Sequence, residues 1–297
     1  MIKKSILAVG SIGIDWLELP NKISGKTIGG SLTYFTRTAG LNSKVNIVGI
    51  IGDDYPTEGK KLFDEFGNNL DDLQIVKGKN FSWGGKYHEN WEDRTTLFTE
   101  LGVFQNFHPK LSEKNKKSDF IYLGNIHPNL QLEVLEQIKS KNNVTACDTM
   151  NLWIETTQEE LIEVIKQVDI LFINESEAIQ LSNSKNLESC GEKILKMGPK
   201  ILIIKKGSSG CKLFSKDLNI EVGVYPIKKI IDPTGAGDSF AGGVMTAIAN
   251  GFHLSEALLW GTACASFCVE GFGLEGFKLM TQSSLKERIE YLKNNII

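Results

Sequence analysis

Short apolar runs recur along the chain at 6–9, 45–50, 120–123, 144–147, 170–173 and 201–204, each nearly continuous rather than alternating. Runs of that length suit strands covered on both faces, the environment of a parallel sheet. Between them the apolar positions take up a helical spacing. This predicts helices at 31–40, 57–66, 130–140, 158–167 and 186–197, with 236–250, 254–270 and 281–293 closing the chain. Such alternation predicts an α/β fold with a mostly parallel sheet between layers of helices. Two stretches, 13–28 and 73–107, break the rhythm with alternating, aromatic-rich patterns and no helix signal. The second holds Phe81, Trp83, Tyr87, Trp91, Phe98, Phe104 and Phe107. Together they predict a small antiparallel sheet, assembled from separated segments, that stands over the main domain as a lid. From about 210 to 230 the chain is expected to turn antiparallel again.

A chain of 297 residues can bury a large core, and no repeat, low-complexity tract or linker divides it, so residues 1–297 are expected to form a single domain carrying the lid. With 33 basic and 36 acidic side chains the formal charge is −3, which points to no nucleic-acid partner. Anionic ligands must then be met by local features. Five scattered cysteines read as buried, reduced thiols, which suits a cytoplasmic protein. The basic start at Lys3 and Lys4 before the apolar run 5–14 imitates a short signal peptide. That run ends at Asp15 and Trp16 without a small-residue cleavage site, so a buried first strand is the better reading. No run approaches the length needed to span a bilayer, so no membrane partner is expected.

Residues 232–238 spell Asp-Pro-Thr-Gly-Ala-Gly-Asp and lead into the small-residue helix at 236–250. Gly235, Ala236 and Gly237 allow a sharp turn whose N–H groups face one point. The helix N-terminus adds partial positive charge there, which suits a phosphate. Asp238 falls in the first turn, where a carboxylate beside an anion hole can take a proton from an attacking hydroxyl. An ordinary loop into a glycine-rich helix would look similar, but the seven-residue context favours chemistry.

This segment resembles the signature of the ribokinase-like carbohydrate kinases, the phosphofructokinase-B type. Gly29-Gly30, the strand and acidic turn at 45–54, Asp148, Asn174-Glu175-Ser176-Glu177 and Lys206-Gly207-Ser208-Ser209-Gly210 follow the same pattern in the same order, over nearly the whole chain. The resemblance implies a three-layer α/β/α sandwich with a β-sheet lid. It implies transfer of the γ-phosphate of ATP, as its magnesium complex, to a hydroxyl of a small sugar or related polyol. A nucleoside kinase on the same scaffold and a silent sugar-binding protein are the alternatives.

Asp238 is the implied base, and the backbone of 235–237 is the anion hole. Asn174 and Glu177 belong to the magnesium–phosphate network, held through water. Asp232 caps the loop or neighbours a monovalent cation such as K+. Thr234, Lys206, Gly207 and Gly210 flank the nucleotide, although Lys205 is as well placed by sequence as Lys206. Asp15 binds acceptor hydroxyls, with Gly29 and Gly30 allowing close approach. Some members pair through their lids, so a homodimer is expected.

Two departures stand out. Tyr34 occupies a position that is often Asn in sugar kinases. Asn151 lies one residue further from Asp148 than the family's spacing. The GxGxxG string at 271–276 follows a helix rather than a strand and so lacks the dinucleotide-binding context.

Overall fold

In a computed structural model that describes residues 4–91, 93–140 and 142–295, the strands run in chain order as follows. They are β1 (Ser5–Val9), β2 (Gly13–Glu18), β3 (Ser24–Gly29), β4 (Lys44–Gly52), β5 (Asn69–Val76), β6 (Phe81–Tyr87), β7 (Arg94–Glu100), β8 (Phe120–Leu123), β9 (Val144–Asp148), β10 (Ile170–Asn174), β11 (Ile201–Lys205), β12 (Cys211–Ser215) and β13 (Asn219–Val222). The helices are α1 (Ser31–Ala39), α2 (Thr57–Asp64), α3 (Pro128–Gln137), α4 (Asn151–Thr156), α5 (Gln158–Ile165), α6 (Glu175–Ser182), α7 (Leu187–Leu195), α8 (Ala236–Ala249), α9 (Leu254–Cys268) and α10 (Gln282–Asn294). The first turn of sequence, residues 1–3, which includes part of the basic start, lies outside the described residues.

Nine strands pair in the order β13-β12-β11-β10-β9-β8-β1-β4-β5. All pairs from β11 to β5 are parallel, and β12 and β13 join antiparallel. Because side chains alternate across a strand, each strand feeds two cores. Ile6, Ala8, Tyr122, Ala146, Phe172 and Ile203 face one core, which α1, α8, α9 and α10 cover. Leu7, Val9, Leu123, Cys147, Leu171 and Leu202 face the other, covered by α3, α5, α6 and α7. The five cysteines are free and buried. Among the described residues no helix is long and apolar enough to cross a membrane.

Four strands, β3-β2-β6-β7, form the lid. Two details correct the sequence expectation. The lid's second segment begins at Phe81 rather than at 73, because residues 73–76 belong to β5 at the edge of the main sheet. Also, β2 and β6 run parallel, so the lid is mixed rather than antiparallel. The strand β5 is half exposed and carries Asp71 and Asp72, so it lacks the apolar run of a covered strand. The stretch after β7 tightens into a 3-10 turn at Gly102–Asn106 instead of continuing the lid.

Candidate active site

Three adjacent strands end beside one another: β9 at Asp148, β10 at Asn174 and β11 at Lys205. Ligands of parallel sheets collect at such carboxyl ends. The N-terminus of α8 meets them there. Gly235 takes a left-handed conformation with φ 75°, and a Cβ at this position would lie 2.1 Å from the Tyr34 ring. Only glycine fits both demands. Asp238 sits in the first turn of α8. A cavity of about 540 Å³ runs along this edge, from Gly207, Gly210 and Tyr225 past Gly235–Asp238 to Arg94 and Trp91 of the lid segment.

The charges in this cleft are crowded. Lys205 Nζ lies 2.7 and 3.0 Å from the two carboxylate oxygens of Asp148. Burial works against the ammonium, yet Asp148, Glu177 and Asp238 together hold its pKa above the ordinary lysine value. Burial, with the charge of Asp148, pushes the Asp238 carboxyl up to about 7, although Lys205 and Arg94 pull it down. The Tyr122 hydroxyl faces Asp238 without reaching hydrogen-bond geometry. Its ring is stacked on Phe35 at 4.0 Å, and burial keeps the phenol protonated. Burial likewise raises Glu177 to about 7, with Lys205, the Asn174 N–H and Arg94 opposing and Asp148 adding to it.

Asn174 and Glu177 form a complete capping box at the start of α6. Asn174 Oδ1 accepts from the Glu177 N–H at 2.8 Å, and Glu177 Oε2 accepts from the Asn174 N–H at 2.7 Å. The capping role and the polar role therefore coexist in Glu177. Among the described residues no group of three His, Cys, Asp or Glu side chains could hold a metal directly. The donor set still fits hydrated Mg2+, which prefers oxygen and keeps several waters: Asp148, Glu177 and Asp238 converge on a single ammonium and leave an excess of negative charge.

Asp15 lies on β2, only 4% exposed, and neither it nor Gly29 and Gly30 lines the cavity. Its carboxylate is packed against Gly29, where a Cβ would fall 1.9 Å from Oδ2. Gly30, with φ 92°, opens α1 beside it. Burial raises Asp15 to about 7; the Gly30 N–H opposes this, and the charges of Asp232 and Asp238 add to it. Asp232 ties the anion loop together. Its oxygens accept from the N–H groups of Thr234, at 2.9 Å, and Gly273, at 2.8 Å. The middle glycine of the 271–276 string thus serves this loop. Thr234 Oγ1 bonds in turn to the hydroxyl of lid residue Tyr87.

Other sequence-selected residues lie along the rim of the cleft or away from it. Lys206 is ion-paired with Glu221 at the rim of the cleft. Gly207 and Gly210 take positive φ values of 53° and 87° and line the cleft beyond it. Asn151 donates to Gln180 at 2.6 Å, while Asp148 and Thr149 face the cleft. Tyr34, which stands where sugar kinases often have Asn, is 1% exposed, its ring packed beneath Gly235. Sequence reasoning missed Arg94, Tyr122 and Thr149. No local motif marks them, since each matters only through where the fold carries it.

A helix N-terminus aimed at a cleft, with a buried carboxylate in its first turn, sets partial positive charge beside a group that can accept a proton. Residues 36–278 match the pfkB family carbohydrate kinases, and the chain belongs to that family. The cytidine kinase of Thermococcus kodakarensis is 27% identical over 273 residues, covering 90% of this chain and 97% of that protein. A nucleoside kinase of Methanocaldococcus jannaschii is 28% identical over 255 residues, covering 84% of this chain and 80% of its own. The crystal structure of the M. jannaschii nucleoside kinase, an archaeal member of the ribokinase family, superposes with a TM-score of 0.80 at 24% identity, over 98% of this chain and 99% of that one. A putative ribokinase II from E. coli, in complex with ATP and Mg2+, gives 0.82 at 18% identity over 97% and 99%. The fold is that of the ribokinases, a three-layer sandwich with a lid.

Proposed function

We propose that this protein transfers the γ-phosphoryl group of ATP to a hydroxyl on the ribosyl part of a nucleoside, with Asp238 as general base. The observation that carries the reading is the placement of Asp238 between the α8 N-terminus and the strand-end cluster of Asp148 and Lys205. Two relatives named for nucleosides or cytidine, matched over 80% and 97% of their lengths, support the acceptor class. A small sugar or polyol is the second reading, because the buried carboxylate of Asp15 would bind the hydroxyls of either acceptor.

In this mechanism Asp15 accepts hydrogen bonds from acceptor hydroxyls and orients one of them. Asp238 takes the proton of that hydroxyl as its oxygen attacks the γ-phosphorus, and the bond to the β-phosphate oxygen breaks to release ADP. The N–H groups of Gly235 and Gly237 stabilise charge on the transferring group, whereas the Ala236 N–H donates to the Pro233 carbonyl at 3.2 Å and closes the turn. Glu177 and Asp148 would hold Mg2+ through water, and the ion would supply neutralising charge for the phosphate chain. Asp232 serves the loop, since both of its oxygens are committed there. The lid excludes water, and its outer face is proposed to pair with a second copy of the chain.

A panel of nucleosides, free ribose, fructose and polyols, each assayed for ATP-dependent phosphorylation, decides between the acceptors. Nucleosides should show kcat/KM at least about tenfold above any free sugar. The reverse order would favour the sugar reading, and turnover of neither would defeat both.

A further inference from the structure

Lys205 is a cation held inside the cleft by the alternation of its strand. On β11, Ile203 faces the core under α8 whereas Leu202 and Ile204 face the opposite core. The period of two therefore turns Lys205 to the α8 side. The same alternation on β9 turns Asp148 to that side with Ala146. The two side chains meet there, the carboxylate 4% exposed and the lysine 18%. The ammonium also touches the anion hole: a Cβ built on Gly237 would lie 3.1 Å from Nζ. The neighbouring Lys206 is committed to Glu221.

We propose that Lys205 receives the phosphate chain of the donor by exchanging its ion-pair partner. Asp148 holds the ammonium in the free protein, and phosphate oxygens take it when the nucleotide binds. The proposal rests on the kinase reading above. It follows from the charge balance: a polyphosphate entering here meets Asp148, Glu177 and Asp238, and Lys205 is the compensating charge already in contact with the hole. Nζ lies at the end of four rotatable bonds, so the exchange needs a side-chain rotation and no backbone movement. Release of Lys205 frees the Asp148 carboxylate for the hydrated metal.

A purely structural role, neutralising Asp148, is the competing explanation, and Lys205 variants in an Asp148→Asn background separate the two. Binding of ADP and of adenosine is measured by calorimetry in EDTA for the wild type, Asp148→Asn, and Asp148→Asn combined with Lys205→Met. The Asn background removes the buried carboxylate that an isolated Lys205→Met would leave unpaired. Lys205→Gln in the same background is the second variant, should the Met form fold poorly. Loss of a charged hydrogen bond to phosphate should weaken ADP binding roughly 10- to 100-fold relative to Asp148→Asn alone, with adenosine binding unchanged. If removing Lys205 in the Asn background leaves ADP binding within about twofold, the lysine only neutralises Asp148 and the proposal falls. Equal losses for ADP and adenosine overturn it as well. A wild-type protein that binds ADP neither in EDTA nor with Mg2+ present would defeat the kinase reading itself.

Discussion

The Tyr87 hydroxyl of the lid lies 3.2 Å from Thr234 Oγ1, inside the anion loop. Both side chains are buried, so one hydrogen bond joins the lid to the loop that opens α8. Thr234 is itself fixed by Asp232, which couples the lid's docked position to the shape of the loop. Tyr87→Phe should cost about 1 kcal/mol of stability, a neutral hydrogen bond's usual net worth. It should also raise the acceptor's KM several-fold while changing that of ATP little. Parallel steady-state kinetics check this, and equal changes in both KM values would make Tyr87 a packing residue only.

Asp238→Asn keeps the shape of the side chain but cannot accept a proton. Turnover should fall about 10²–10⁴-fold, the usual contribution of a general base. ATP binding, read by calorimetry, should be nearly intact. Near-normal turnover would remove Asp238 from the base role.

The two glycines of the anion hole should fail in different ways. At Gly235 a methyl group would run into the Tyr34 ring from a left-handed backbone. Gly235→Ala should therefore lower stability by about 2 kcal/mol or more, with a visible loss of melting temperature. At Gly237 the nearest atom to an added Cβ is the flexible tip of Lys205. Gly237→Val should fold with a near-normal melting temperature yet lose about 10²-fold in kcat, because the side chain intrudes where N–H groups face the phosphate. The same melting loss at both positions would mean that the loop is only a structural turn.

Burial raises three carboxyls, Asp15 on the lid strand β2 and Glu177 and Asp238 in the cleft, to about 7. Asp238 must be ionised to act as base, and Asp15 accepts hydrogen bonds from hydroxyls best as carboxylate. Activity should therefore rise with pH through about 7. The acid limb of log kcat/KM should be steeper than one proton, since coupled groups titrate as a set. Asp15→Asn should bring the slope nearer to one. Stability should move the opposite way. The folded state binds these protons more tightly than the unfolded chain, whose carboxyls titrate near 4, so the contribution of these groups to stability declines as pH rises from about 4 to about 7. A single-proton acid limb in the wild type would show that only one of the carboxyls governs turnover.

Much of this site is written locally, and the rest depends on which face of the sheet a residue occupies. The apolar runs marked six strands of the main sheet, and the 232–238 segment marked the loop, because a covered strand and a tight anion turn each impose strict local composition. The edge strand β5 escaped because one side of it meets water, so polar residues such as Asp71 are tolerated. Helix α4 escaped because six residues are too few to show a period. Lys205 and Lys206 were equivalent in sequence. Only the knowledge that α8 covers the Ile203 face makes Lys205 the inward one. Arg94 is set opposite Tyr87 by the β6–β7 pairing, a long-range register that no spacing rule supplies.

The lid's outer strand gives the homodimer a testable surface. β7 pairs only with β6 among the described residues, which leaves its other edge without a partner strand. Every residue of β7 is exposed, including Leu97 at 43% and Phe98 at 39%. Alternation places Asp15, Leu17 and Tyr87 on the face toward the cleft, and Trp16, Gly84 and Phe98 on the opposite face. The ring of Phe98 lies across Gly84, where a Cβ would come within 2.4 Å of it. An exposed edge beside apolar side chains favours association, and pairing with a twin by two-fold symmetry would cover both. Light scattering after size-exclusion chromatography should give twice the chain mass of 32.9 kDa. Phe98→Asp should return it to monomer. A charge at Trp83, which faces the cleft side with Gly85 and Tyr87, should leave the mass unchanged. A fully active monomer would defeat the idea, and a dimer indifferent to Phe98→Asp would place the interface on another surface.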